Sequence, residues 1–135
     1  MSASSVMAQV LARLQTLSDV SIFSGEVPAN VPANSSGRVY PYAVLWGSTG
    51  RDNTHGEDLT GDTDGAVVVP VRVTVAAGDP DWCLAAAERV RALLSRWQPT
   101  GAERLRDDHT EPTMLEDKDV TPRRWFVPLE FRTAS

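Results

Sequence analysis

Residues 65–97, GAVVVPVRVTVAAGDPDWCLAAAERVRALLSRW, constrain the fold more than any other stretch, because their hydrophobic period changes once and abruptly. In the first part Val67, Val69, Val71, Val73 and Val75 alternate with Val68, Pro70, Arg72 and Thr74, the period of a strand with one apolar face. In the second part the period lengthens to that of a helix. Asp79 is placed to cap the free amides, Pro80 suits the first helical position, and Asp81 complements the positive end of the dipole. Trp82, Ala86, Val90, Leu93 and Trp97 share a face, widened by Cys83, Ala87 and Leu94. Glu88, Arg89, Arg91, Ser95 and Arg96 are left mainly to water. Strand and helix bury their apolar surfaces most simply against each other, so the core is expected here, with Trp82 and Trp97 as buried brackets of the stripe.

The remaining elements arrange themselves around this unit. Ser4 or Ser5 can cap a first helix in which Val6, Met7, Val10, Leu11, Leu14 and Leu17 share a face, ending near Ser18 and Asp19. Val20, Ile22 and Phe23 predict a short strand. Residues 25–37, GEVPANVPANSSG, break both regular periods and read as an irregular connection. Residues 40–46, YPYAVLW, form a strand with Pro41 near its start. Residues 48–64, STGRDNTHGEDLTGDTD, are polar and long for a connection, and loops of that kind are functional or disordered. Residues 103–120 predict one or two short strands at a solvent edge.

The last strand is clear: Trp125, Val127, Leu129 and Phe131 alternate with Phe126, Pro128 and Glu130. Its FVPLEF repeats the layout of VVPVRV in the central strand, each with a proline between apolar residues and then a flanked charge. Such a proline requires an edge, a bulge, or a nitrogen pointing away from any partner. Arg72 and Glu130 are expected to face each other across antiparallel neighbours, near an edge. The fold class is therefore α+β: a mainly antiparallel β-sheet with two packed α-helices and a long acidic loop, in one domain over residues 1–135.

Composition narrows the functional classes. With 135 residues, 41% of them hydrophobic and 23% charged, the chain can bury a core and is not globally disordered. The formal charge of −5 disfavours coating DNA or an anionic membrane, which takes clustered Lys and Arg. A single Cys83 precludes an internal disulfide and fits a reducing compartment. There is no secretion signal pattern, and no apolar run approaches the roughly 20 residues that span a bilayer. A soluble protein made inside the cell is expected.

Each catalytic option is weak. His55 with Glu57 and Asp58, or His109 with Asp107, Asp108 and Glu111, could be drawn as metal ligands, but neither has the spacing that places two ligands on one face. Residues 58–65, DLTGDTDG, lack both the alternating ligands and the closing glutamate of a calcium loop. Cys83 lies on the apolar stripe of a helix, where an inert thiol is expected. The turn before that helix carries Asp79, which repels phosphate. No enzymatic activity and no cofactor are expected. What is left is the acidic segment 48–64, either a solvated loop or an arm that orders against a partner subunit.

Taken together, the pattern resembles the tail terminator (tail completion) proteins of long-tailed phages, in particular those of actinobacterial hosts, sometimes labelled minor tail proteins. The residues that carry the resemblance are the helix before Val20–Phe23, the connection with Val27 and Pro28, and Tyr40-Pro41-Tyr42-Ala43-Val44-Leu45. To these add the valine-rich strand, Asp81-Trp82 opening the helix with Ala87 and Leu94, and Arg124-Trp125-Phe126-Val127-Pro128-Leu129-Glu130-Phe131. It covers nearly the whole chain as spaced features, without an invariant motif, and is weakest over residues 103–120.

The resemblance implies an α+β protomer that closes into a ring, a homohexamer, on the last ring of the tail tube. There it would end polymerisation and offer a surface to the head–neck connector, at the head-proximal end of the tail, after synthesis in the host cytoplasm. Its partners would be further copies of itself, the tail tube protein and the connector, with no membrane. Genome DNA would pass through without specific binding, past a channel made acidic by the loop and by Asp107, Asp108, Glu111, Glu116, Asp117 and Asp119. No catalytic residue is implied. Partner contacts are expected at Arg51, Asp52, His55, Glu57 and Asp58 in the loop, and at Arg123 and Arg124, which would pair with a neighbour's carboxylates. Two alternatives stay open: a head–tail connector or tail-tube subunit of related architecture, and a small metal-binding or hydrolytic domain.

Overall fold

The computed structural model describes residues 2–52, 67–108, 112–120 and 122–134. Along the chain run α1 (Ala3–Leu14), β1 (Ser21–Ser24), β2 (Tyr42–Trp46), β3 (Arg51–Asp52) and β4 (Val67–Ala77). They are followed by α2 (Pro80–Leu94), β5 (Arg106–Asp107), β6 (Leu115–Asp117) and β7 (Arg124–Ala134). The strands make one seven-stranded sheet in the order β1-β2-β4-β7-β5, with β3 also on β4 and β6 also on β7. Among the described strands only β1 and β2 run parallel. The fold is α+β. Among the described residues no helix is long and apolar enough to cross a membrane.

The two long strands build the centre. β4 and β7 pair antiparallel from Val68 opposite Ala134 to Ala77 opposite Trp125. Alternation then sends Val69, Val71, Val73 and Val75, with Val127, Leu129 and Phe131, to one face, where all are buried. Both helices cover that face. α2 starts as its residues dictate: the Asp79 carboxylate accepts from the amides of Asp81 (2.9 Å) and Trp82 (3.3 Å), and Pro80 follows at the first turn. It stops at Leu94, where Arg96 takes a positive φ of 64° that turns the chain out of the helix. α1 is capped by Ser2 and not, as expected, by Ser4 or Ser5, which lie inside the helix; the Ser2 hydroxyl accepts from the Ser5 amide, and α1 buries Val6, Val10 and Leu14. Gln9 and Thr100 exchange two hydrogen bonds (3.1 and 2.7 Å), and the Arg13 guanidinium lies over Trp97, holding α1 to the end of α2.

Three further expectations need correction. The first helix ends at Leu14, not near Ser18, because the chain tightens into a turn at Gln15 and Thr16. The buried line of α2 runs through Cys83, Ala86, Ala87, Val90 and Leu94, while Trp82 and Trp97 are only half-buried at its margins. Small residues allow the helix to lie close to the sheet, and the tryptophans are too bulky to fit beneath it. Trp82 stacks on exposed Tyr40 instead (ring centroids 6.2 Å apart).

The third correction concerns the place of the Arg72–Glu130 pair, whereas the prolines take the last of the expected options, a nitrogen that points away from any partner. Arg72 does stand opposite Glu130, their charged groups 3.8 Å apart, but in the middle of the sheet and not near an edge. The Glu130 carbonyl accepts from the Asp108 amide (2.9 Å) on the β5 side, and alternate backbone groups along a strand point the same way. The nitrogen of Pro128 therefore also faces that side, level with a gap: β6 pairs only as far as Phe126 and β5 begins at Phe131. Thr74, opposite Pro128, must turn its own groups toward β2, and so must Pro70. Pro70 falls in the matching gap between β3, which reaches Val68, and β2, which begins at Arg72. Both prolines occupy interior strands where no hydrogen bond is lost.

This register predicts opposite outcomes for neighbouring substitutions. Pro70→Val should change stability by less than about 1 kcal/mol in urea unfolding, as surface changes do. Val71→Pro should destabilise by about 3 kcal/mol or more, because the Val71 amide feeds the ladder to β7.

Candidate functional site

Among the described residues no helix lies on the second face of the sheet. The even residues of the long strands point here with Tyr42, Val44 and Trp46 of β2, and a smaller apolar cluster forms from Val39, Tyr42, Val44 and Ala76. Its cover comes from residues 25–41. Parallel pairing of β1 with β2 needs a crossover, and this proline-rich connection is long enough to supply it. The connection is ordered by a small hairpin: Asn34 Oδ1 accepts from the amides of Ser36 and Arg38, Gly37 turns at φ +81°, and Ala33 bridges Val39. Gly78 lets its far end approach, since a Cβ there would lie 2.4 Å from the Val39 nitrogen. The Gly78 amide instead donates to the Val39 carbonyl (2.8 Å), and Arg38 pairs with Asp79 at 3.1 Å.

The cover is incomplete. Between Val27, Pro28 and Ala29 on one side and Asp117 and Val120 on the other lies an open groove of about 480 Å³. Tyr42, Val44, Thr74, Ala76 and Phe126 form its floor. Trp46 Nε1 donates to the Thr74 hydroxyl (3.0 Å), and Phe23 meets Tyr42 edge-on at 6.0 Å, so the polar groups of the floor are held in place.

Arg124 lines this groove and is only 9% exposed. Its Nη1 donates to the Tyr42 hydroxyl at 2.7 Å, its Nε makes a long bond to the Pro122 carbonyl (3.5 Å), and its guanidinium lies 5.8 Å from the Tyr42 ring centre. Among the described residues no carboxylate pairs with it, although Asp117 faces it in the β6–β7 register and lines the same groove. No buried nitrogen is left without a partner among the described residues, so the donors that Tyr42 and Pro122 do not take up face the open groove. Such a site attracts a carboxylate attached to an apolar stem.

Arg123 has a different environment despite being the next residue. It is exposed, pairs with Glu116 of its own chain and lies over Trp125 at 4.8 Å. The hydrogen bond from Arg123 is the main cause that holds the Glu116 carboxyl below its usual range. This contact contributes at pH values above the ordinary glutamate pKa and fades as pH falls through the lowered one. Asp107 and Asp108 are likewise engaged inside the chain, with Arg91 (3.2 Å) and Arg132 (3.7 Å). Arg51 and Asp52 fall on β3, paired with Val68 and Val67, while His55, Glu57 and Asp58 lie outside the described residues, as do His109 and Glu111.

Cys83 is fully buried, and desolvation raises its thiol pKa from 9.0 to about 11, against a smaller lowering by a backbone hydrogen bond at Ala77. A thiol so raised is a poor nucleophile at neutral pH. Among the described residues no three of His, Cys, Asp and Glu are grouped to hold a metal. A second feature escaped the sequence reading: Arg104, Arg106 and Arg132 line a shallow cleft of about 250 Å³, brought together from distant segments. Tyr42 and Phe126 were legible only as strand residues; the alternation that puts Arg124 on the Phe126 face, away from Arg123, was the available signal. No protein-family model matches the chain, and no curated protein sequence matches it.

The groove arginine is expected to serve binding more than folding. Arg124→Met alone should destabilise by about 1–2 kcal/mol, the penalty for a Tyr42 hydroxyl left without its donor. Arg124→Met with Tyr42→Phe should return to within about 1 kcal/mol of wild type, since replacing both buried polar partners is nearly neutral. Thermal unfolding of the three proteins measures this.

Proposed function

We propose that this chain is a structural subunit that closes into a ring, a homohexamer, on the end of the tail tube of a long-tailed phage. The ring ends tube polymerisation and presents a surface to the head–neck connector. The observation that carries the reading is the groove on the helix-free face. Its arginine has no carboxylate partner among the described residues and its floor is mainly apolar, which are the properties of a surface that receives another polypeptide. In this reading the chain acts by assembly, and the described residues that line the groove supply an apolar floor and a guanidinium for a polypeptide partner. The element order and the resemblance of the whole chain to tail terminators supply the specific assembly. Partners are further copies of the chain, the tail tube protein and the connector.

A tail-tube subunit would share the architecture but stack without limit. Negative-stain microscopy of the pure protein, alone and with tail tubes, separates the two: closed rings that cap tubes are expected, and long tubes of this protein alone would overturn the terminator reading. DNA is expected only to pass through. With a formal charge of −5, the protein should not bind duplex DNA at physiological salt. Tight, salt-dependent binding in a titration, directed to Arg104, Arg106 and Arg132, would instead assign a nucleic-acid role.

A further inference from the structure

The outer surface of α2 is complementary to the groove. Leu84 is 45% exposed on the solvent side of α2, where its neighbours on that side are Asp81, Ala85 and Glu88. Asp81 lies three residues before it and Glu88 four after, both exposed, so the three side chains share one side of the helix. Asp81 sits in the first turn, where it complements the helix dipole, whereas Glu88 is one turn beyond Leu84. An apolar side chain with a carboxylate one turn away is the chemistry that the groove lacks. The groove in turn offers a mainly apolar floor beside a guanidinium that has no carboxylate partner among the described residues. Exposed Val27 stands on its wall, and exposed Leu115 sits beside it, opposite Phe126.

The two surfaces lie on opposite sides of the sheet, α2 on the face of Val73 and Leu129 and the groove on the face of Val44 and Phe126. They therefore cannot meet within one chain, nor can they form a two-fold pair by themselves. We propose that α2 of one copy docks in the groove of the next, with Leu84 entering above Tyr42, Val44 and Phe126 and the Glu88 carboxylate pairing with Arg124. The contact is head-to-tail, and a head-to-tail contact generates a ring when its rotation closes. The inference rests on the ring reading given above and names the surfaces that build the ring.

The test uses the full chain, in sedimentation and mass measurements of association and in the tube-capping assay. Leu84→Glu and Glu88→Arg alter exposed positions, so each should remain folded, associate at least about 10-fold more weakly than wild type, and fail to cap tubes. Arg124→Met destroys the groove's charge, and Val27→Glu on the exposed wall serves the same purpose if Arg124→Met unfolds. The distinguishing experiment mixes a Leu84→Glu chain with a groove variant. Each alone should be monomeric, and the mixture should form dimers and nothing larger, because one intact α2 face then meets one intact groove. Rings or capping unaffected by Leu84→Glu and Glu88→Arg would overturn this contact and leave the ring reading standing. So would a mixture that forms no dimer. Capped tubes that still form rings in every variant but no longer join heads would assign the groove to the connector instead. A wild-type chain that stays monomeric both free and with tubes would overturn the contact and the ring together.

Discussion

The pairing of β4 with β7 is the interaction on which the rest of the molecule depends. Ten residue pairs in register, from Val68–Ala134 to Ala77–Trp125, fix which side chains of both strands point the same way. Because the side-chain period of a strand is two, a slip of β7 by one residue along β4 would send Leu129 and Phe131 to the opposite face and turn Glu130 inward. No such slip is tolerable, so the register also decides that the helices take one face and that Tyr42, Ala76, Phe126 and Arg124 take the other. The same register sets Arg72 against Glu130. That pair is largely exposed and contributes little to stability on its own.

The two prolines show how the pairing is made compatible with a groove. An interior strand loses a hydrogen bond at a proline unless the neighbouring ladder is interrupted there. Here the interruptions exist on both sides: β2 and β3 leave a gap level with Pro70, and β5 and β6 leave one level with Pro128. The partner strands are consequently short, and the helix-free face is covered by a crossover and a loop edge instead of by a continuous layer. A partly covered apolar face with a buried guanidinium is the result. Gly78 matters for the same reason, since its missing side chain is what allows the crossover to close down on the turn between β4 and α2.

For the proposed ring, this asymmetry is the useful property. A subunit that must add to a chain of copies and then stop needs two unlike surfaces, one to receive and one to be received. The electrostatics point the same way. Asp107, Asp108 and Glu116 already have arginine partners in their own chain, so the negative charge available to a neighbour lies elsewhere, at exposed sites such as Glu88. Arg124, by contrast, has no carboxylate partner among the described residues and faces an open groove, where it can receive one.

Much of the fold was written in local sequence. The valine alternation, the Asp79–Pro80–Asp81 start of α2, the YPYAVLW strand and the matched VVPVRV and FVPLEF layouts each encode an element, because period, capping and turn chemistry act over a few residues. The pairing of Arg72 with Glu130 was legible too, since two strands with the same pattern are natural neighbours. What sequence could not determine was anything set by relative placement. Whether the prolines lay at an edge or in gaps depended on where four short strands ended. Whether Trp82 and Trp97 were core depended on how closely α2 approached the sheet. Arg123 and Arg124 look equivalent as a dipeptide, yet one is an exposed ion pair with Glu116 and the other a buried guanidinium hydrogen-bonded to Tyr42, 82 residues away in sequence, with no carboxylate partner among the described residues. Periodicity tells a residue which face it shares; only the packed structure decides what covers that face and what charge is left unmatched on it.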